Sequence, residues 1–207
     1  MILYFSSTGN SKFVAEILKM DLQDTAVSLN HIFKNNLKLE FYTETPYVIV
    51  CPIYAWRLPR KIETFLKKAH FNGSQSIYIV ATMGDSYGLA DQYCKKIFLK
   101  RKMDYKGFAG ILMPDNYMVS NKMLSKNEAI SNIQSNLPYL HEISKHILNR
   151  SELEMKLSSK KMLGCYQVLR IGDLIHLCVT VVRLKLIILH VYNAKNVYEY
   201  VQRIIFV

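Results

Sequence analysis

Cysteine is scarce in this sequence and badly spaced for chemistry. Four stand at Cys51, Cys94, Cys165 and Cys178, and no two are close enough for a C-x-x-C pair. That spacing argues against a disulfide scaffold, and against a metal or iron–sulfur site in the chain as written. No basic segment followed by an apolar run precedes the strand-like Ile2-Leu3-Tyr4-Phe5. No signal peptide is therefore expected, and the cytoplasm is the expected compartment. Acidic residues are the minority: 16 Asp and Glu stand against 27 Lys and Arg, for a formal charge of +11. The excess is spread along the chain, 19 basic to 12 acidic residues in 1–150 and 8 to 4 in the remainder. Such a balance favours acidic partners. The lysines are dispersed, as at Lys67-Lys68, Lys95-Lys96 and Lys100 to Lys102, in the manner of solvated helix faces. No nucleic-acid-binding motif accompanies them, so nucleic acid is not expected as a partner.

What is present is a globular composition, half of it apolar, in a length that suits one domain with or without an appendage. Up to about residue 150, strand-like and helix-like runs alternate, the pattern of a parallel sheet covered by helices. Ile2 to Phe5 reads as a buried strand, and Lys12 to Met20 as a helix with Phe13, Val14, Ile17 and Leu18 on one face. Ala26 to Leu29 is a weak second strand, and the polar stretch 30–45 reads as a degenerate helix or loop. Tyr47 to Cys51 is a third strand, ended by Pro52, and Pro59 opens a helix at its first turn. Ser76 to Thr82 is the fourth strand, Leu89 to Leu99 a helix, and Phe108 to Met113 the fifth strand. Asn127 to Leu148 is a long final helix that Pro138 is expected to kink or split. Five strands with intervening helices predict an α/β fold, a flavodoxin-like doubly wound five-stranded parallel sheet with helices on both faces. Ligands of such sheets bind beyond the carboxyl ends of the strands, at the topological switch point. The loops after strands one, three and four are the places to inspect.

After strand one comes Ser6-Ser7-Thr8-Gly9-Asn10-Ser11, followed by a helix. Hydroxyls and successive backbone N–H groups at a helix N-terminus make a phosphate cradle. The loop holds no lysine and lacks the Walker spacing, which points to a monophosphate rather than a nucleoside triphosphate. After strand three, the segment Pro52-Ile53-Tyr54-Ala55-Trp56-Arg57-Leu58-Pro59 carries a tyrosine and the only tryptophan, the residues a flat ring needs for stacking. After strand four, Thr82-Met83-Gly84-Asp85-Ser86 offers a glycine that lets a peptide beside a ring reorient. Each loop has an ordinary reading too. The first serves equally as a capped βα turn, the second as a tryptophan packed over a helix, and the third as a plain turn. His70, His141 and His146 lie on or near helices and read as structural or solvent-facing, and no catalytic residue is expected.

In this order the three loops resemble the flavodoxin family. More narrowly, Tyr4-Phe5-Ser6-Ser7-Thr8-Gly9-Asn10-Ser11, Pro52-Ile53-Tyr54-Ala55-Trp56-Arg57-Leu58-Pro59 and Met113-Pro114-Asp115-Asn116-Tyr117 resemble the flavodoxin half of bacterial flavodoxin–ferredoxin fusion proteins. The resemblance covers roughly residues 1–160. It implies FMN as cofactor, with Ser6, Ser7, Thr8, Gly9, Asn10 and Ser11 at its phosphate. It implies Pro52, Tyr54, Ala55 and Trp56 along one side of the ring, with Thr82, Met83, Gly84 and Asp85 as the opposite wall. Asp115, Asn116 and Tyr117 then line the mouth. The implied activity is electron transfer, as a carrier or an oxidoreductase component working with a redox partner protein, acidic or a ferredoxin. Two alternatives stay open: an FMN-dependent reductase or oxidase of a small substrate, and a non-redox remnant of the fusion. One departure from the family is the basic charge; another is the lone glycine of the Thr82–Gly84 loop.

Residues 151–207 read as an atypical hydrophobic tail. Val168 to Val191 is dense in Val, Leu and Ile, but Arg170, Asp173, Arg183 and Lys185 interrupt it, so no membrane span is expected. The fusion family implies a ferredoxin module here with iron–sulfur clusters, and their cysteine ligands are absent. A shifted frame, taking the third base of each codon with the first two of the next, restores one set. His190–Val191, Asn193–Ala194, Asn196–Val197 and Tyr200–Val201 can then encode cysteine, and Val201–Gln202 proline. This is the ferredoxin run C-x₂-C-x₂-C-x₃-C-P. The tail is accordingly expected to be a frameshifted ferredoxin remnant.

Overall fold

The computed structural model describes residues 1–114 and 125–153. The chain divides into units Met1–Lys156 and Leu157–Val207, and expectations for the second lie outside the described residues. In chain order the elements are β1 (Ile2–Tyr4), α1 (Asn10–Leu22), β2 (Ala26–Ser28), α2 (Leu29–Lys34), β3 (Glu40–Thr43) and β4 (Tyr47–Pro52). There follow α3 (Arg60–Lys68), β5 (His70–Gly73), β6 (Ser76–Met83), α4 (Ala90–Lys100), β7 (Asp104–Leu112) and α5 (Lys126–Leu148).

Five strands form one parallel sheet in the order β2-β1-β4-β6-β7. Numbered among themselves they run 2-1-3-4-5, the flavodoxin-like doubly wound order that the sequence predicts. The chain moves outward from β1 to β2 and then returns to lay β4 on the other side of β1. The crevice between β1 and β4 is therefore the switch point. A strand buried on both faces needs a continuous apolar run rather than alternation, and Tyr47, Val48, Ile49, Val50 and Cys51 of β4 are all fully buried. Helix α1 lies on β1, β4 and β6 and against α5, burying the apolar stripe Phe13, Val14, Ile17 and Leu18. Each such side chain contributes about 1.5–3 kcal/mol on burial.

The polar stretch 30–45 departs from expectation. It contains α2 and β3, and β3 pairs in parallel with β5 as a second, two-stranded sheet. The reason is aromatic. Phe65 of α3 makes edge contacts with Phe33, Phe41 and Phe71 at ring-centroid distances of 5.8, 5.7 and 6.0 Å. The ribbon thereby covers an apolar cluster that the main sheet leaves open. Tyr47 ties the ribbon down, its hydroxyl 2.7 Å from the Asn72 carbonyl oxygen and 3.0 Å from that of Phe41.

Two proline expectations also shift. Pro59 stands at the N-cap of α3 rather than in its first turn. Pro138 lies inside α5, which runs unbroken for 23 residues. Proline in a helix interior costs about 3 kcal/mol. Here the helix is held on both sides of it: a Ser125–Glu128 capping box fixes the start, and Leu140, Ile143 and Ile147 are buried beyond it. Tertiary packing outweighs the missing N–H.

Candidate functional site

The loop after β1 turns at Gly9, whose φ of 107° lies in a region that L side chains rarely adopt. The Gly9 carbonyl accepts the first helical bond of α1 from the Phe13 N–H at 2.9 Å. No side chain caps α1, and its first turn carries no acid. Its N-terminal N–H groups and the positive end of its dipole therefore face the hydroxyl-rich loop. The loop is held from within and from beside: the Gly9 N–H donates to Ser6 Oγ at 3.1 Å, and the Ser6 N–H donates to Asn30 Oδ1 at 2.9 Å. Ser7 is exposed. Asn10 reaches away, its Nδ2 donating to the Pro114 carbonyl at 2.9 Å and joining this loop to the one after β7.

Ser11 takes a different position. It is buried, and its hydroxyl lies 2.7 Å from that of buried Thr82. The helical period contains the signal, since Ser11 precedes Val14, Ala15 and Leu18 on the buried stripe. Thr82→Val should cost about 1–3 kcal/mol by leaving the Ser11 hydroxyl buried without a partner, while Ser11→Ala with Thr82→Val should be nearly neutral. Urea unfolding of the two singles and the double decides this; a double that costs the sum of the singles refutes it.

After β4 the chain makes a tight reversal. The Tyr54 N–H donates to the Arg57 carbonyl at 2.9 Å, and the Arg57 N–H donates to that of Tyr54 at 3.1 Å. Both central residues are left-handed, Ala55 at φ 48° and Trp56 at φ 60°. That is a type I′ turn built without glycine, and each such residue costs about 1–2 kcal/mol. The turn aims its two aromatics at different neighbours. The Tyr54 hydroxyl donates to Ser7 Oγ at 3.2 Å. Trp56 rests on Gly88, where an added Cβ would stand 2.7 Å from the Trp56 Cβ. Arg57 pairs with Glu63 at 3.3 Å and lies over the Tyr93 ring at 5.1 Å.

The loop after β6 starts from two main-chain ties, the Ile53 N–H to the Thr82 carbonyl at 2.8 Å and the Met113 N–H to that of Met83 at 2.9 Å. Gly84 and Asp85 are exposed. The glycine of this loop with positive φ is Gly88, at 54°, and Gly84 is not among the positive-φ residues. Gly110 on β7 leaves room for Met83 and Tyr87, and Tyr87 packs on Phe108 with ring centroids 4.7 Å apart.

Sequence reasoning passed over Gly88, Asn30 and Tyr87. Gly88 carried a signal, as a second glycine four residues after the first. Asn116 and Tyr117, with Asp115, lie outside the described residues. Of the others, Ser7 meets Tyr54, Ser11 meets Thr82, Asn10 reaches Pro114 and Trp56 rests on Gly88, which ties the loops after β1, β4, β6 and β7 to one another.

Burial pushes the Tyr87 phenol and the Cys51 thiol up to about 12, and the Cys94 thiol well above its ordinary value. A thiol that holds its proton at neutral pH is a poor nucleophile. His141, 2.7 Å from Asp21, and His146, 2.8 Å from Ser151, make their contacts outside these loops. Among the described residues no group of three or more His, Cys, Asp or Glu side chains is placed to hold a metal, and no helix is long and apolar enough to cross a membrane. The arrangement joins a helix start with no acid in its first turn to an aromatic turn, and that turn to a glycine-containing loop.

No family model matches the chain, and no curated protein matches it. Among solved structures, the chain is similar to a short-chain flavodoxin associated with a PDU bacterial microcompartment, at 12% identity and a TM-score of 0.47, covering 73% of this chain and 97% of that one. It is similar to the Trp repressor binding protein from Bacillus subtilis, at 14% identity and a TM-score of 0.41, covering 74% of this chain and 100% of that one. It is also similar to an NAD(P)H:quinone oxidoreductase from Methanothermobacter marburgensis, at 11% identity and a TM-score of 0.42, covering 76% of this chain and 97% of that one.

Proposed function

We propose that residues 1–150 bind FMN non-covalently and serve as an electron-transfer flavoprotein. Flavodoxin-like sheets hold FMN at the switch point, and the reading rests above all on what meets there. An uncapped helix start and an aromatic turn are joined by the 3.2 Å contact between Tyr54 and Ser7. The donor set fits a phosphomonoester: neutral hydroxyls of Ser6, Ser7 and Thr8, the Gly9 turn, and the backbone N–H groups of Asn10 and Ser11, with no acid in the first turn of α1 to repel it. Pro52, Tyr54, Ala55 and Trp56 supply one side of a ring site, and Thr82, Met83, Gly84 and Asp85 the other. Bound FMN supplies one- and two-electron redox chemistry. The chain would orient the ring, cover it, and offer a peptide carbonyl at Gly84 to accept a hydrogen bond from a protonated ring nitrogen.

The narrower kinship is part of the proposal: the flavodoxin half of a flavodoxin–ferredoxin fusion whose ferredoxin part is absent or frameshifted. The three quoted motifs support it, and so does the cysteine run recovered in the shifted frame. Sequencing the gene tests the shift, because Tyr192 and Tyr198 must be TAC to avoid stops; TAT at either ends that idea.

Trp56 is the only tryptophan, so its fluorescence reports on this turn. Added FMN should quench it and leave the purified protein yellow, with a flavin band at about 450 nm. A protein that stays colourless and unquenched overturns the flavin reading. Sustained turnover with NAD(P)H and a quinone would assign a reductase in place of a carrier.

A further inference from the structure

The outer face of α3 and α4 carries one sign of charge. Lys67 and Lys68 end α3, Lys95, Lys96 and Lys100 lie along α4, and Lys102 follows it; all six are exposed. The acids of these helices are turned inward. Glu63 pairs with Arg57, and buried Asp91 accepts from the Tyr105 hydroxyl at 2.7 Å. None of the six lysines forms an ion pair among the described residues. The helices are fastened side by side, because Arg101 spends its guanidinium on the carbonyls of Leu66 and Ala69 at the end of α3. In the middle of this charge stands Leu99, 62% exposed. It lies one turn beyond Lys95 and Lys96 on the same face of α4, and Lys102 follows just past the helix end.

We infer that this face docks an acidic protein. Its charge is uniform and unneutralised, which attracts and steers an anionic partner. An apolar side chain ringed by charges is the anatomy of a protein interface, with a desolvated centre and a polar rim. Nucleic acid fits less well. Among the described residues the large exposed aromatics, Tyr42 and Tyr54, lie on neither helix, so the face lacks a stacking platform; its charge is mostly lysine, with Arg60 the one exposed arginine of the two helices, rather than the clustered bidentate arginine that reads bases. Helix α3 carries Lys67 and Lys68 at its end away from the Tyr54–Trp56 turn. The partner is an acidic protein; taking it as an electron-transfer protein rests on the flavin reading, and the docking surface does not.

The test uses the full chain, with an acidic [2Fe–2S] ferredoxin and polyuridylate as probes, in calorimetric titrations run with and without FMN. Ferredoxin binding should weaken with salt, as the screening length falls from about 30 Å at 0.01 M to about 10 Å at 0.1 M. Lys95→Glu with Lys96→Glu should weaken it by about tenfold or more, while Lys145→Glu on α5 leaves it unchanged. Leu99→Ala should weaken ferredoxin binding and leave polyuridylate binding as it was. Unaltered ferredoxin affinity in the double variant, or polyuridylate binding tighter than ferredoxin at equal salt, overturns the proposal. Binding that persists in a protein unable to take FMN leaves the surface standing and removes only the flavin reading; electron transfer from the photoreduced protein to ferredoxin reads the two together.

Discussion

Phe65→Ala should destabilise the protein by about 3–5 kcal/mol, a large part of the roughly 5–15 kcal/mol that holds a domain folded. Phe65 is 1% exposed and stands among Phe33, Phe41 and Phe71. These rings come from α2, β3 and β5, so one truncation loosens three elements outside the main sheet. The cavity cannot close easily, because β3 is fixed to β5 by four paired positions and both strands are tied to Tyr47. Urea unfolding measures the loss, and amide exchange should rise first at Glu40–Thr43 and His70–Gly73. Phe65→Leu, which refills most of the volume, should cost less than half as much. A loss under about 1 kcal/mol for the alanine variant would mean that the ribbon, and not the ring cluster, organises this side of the sheet.

That ribbon is also what the sequence conceals. The strands of the main sheet announce themselves as apolar runs, and the long helices as a 3.6-residue period. β3 and β5 are only 4 residues each, with a single buried or half-buried phenylalanine amid polar neighbours. Their pairing joins residues 30 apart in sequence, Glu40 to His70, and no local signal reports it. The site shows the same division. Its three loops were legible because a doubly wound sheet puts ligand chemistry after particular strands. The left-handed backbone of Ala55 and Trp56 was not, because neither residue type advertises a positive φ. Ser11 was legible twice, in the polar loop by composition and in the buried stripe by period, and only its 2.7 Å bond to Thr82 shows which environment holds its side chain. Pro138 points in the opposite sense: the split that a breaker suggests does not occur, because burial farther along holds the same helix.

Gly88→Ala should unseat Trp56 and damage the site. Gly88 has φ +54°, and an added Cβ would lie 2.7 Å from the Trp56 Cβ and 3.2 Å from its Cγ and Cδ1. The left-handed backbone alone costs about 1–2 kcal/mol for a residue with a β-carbon, and forced overpacking adds about 1–3 kcal/mol. The turn cannot absorb the push cheaply. Trp56 and Ala55 are already left-handed, and the paired bonds between Tyr54 and Arg57 fix the ends. Trp56 must therefore leave its seat and draw Tyr54 away from Ser7. On the flavin reading, FMN affinity should fall by more than tenfold, and tryptophan emission without FMN should shift to the red as the indole meets water. Gly88→Asn separates the causes: asparagine tolerates the left-handed region, so it should relieve the backbone cost while keeping the clash and the spectral shift. Gly84→Ala provides the contrast, because Gly84 is exposed and outside the positive-φ set; its stability should change by under about 1 kcal/mol. If Gly84→Ala moves the tryptophan emission and Gly88→Ala does not, then the loop after β6 meets the indole at the earlier glycine, and the seat assigned to Trp56 is wrong.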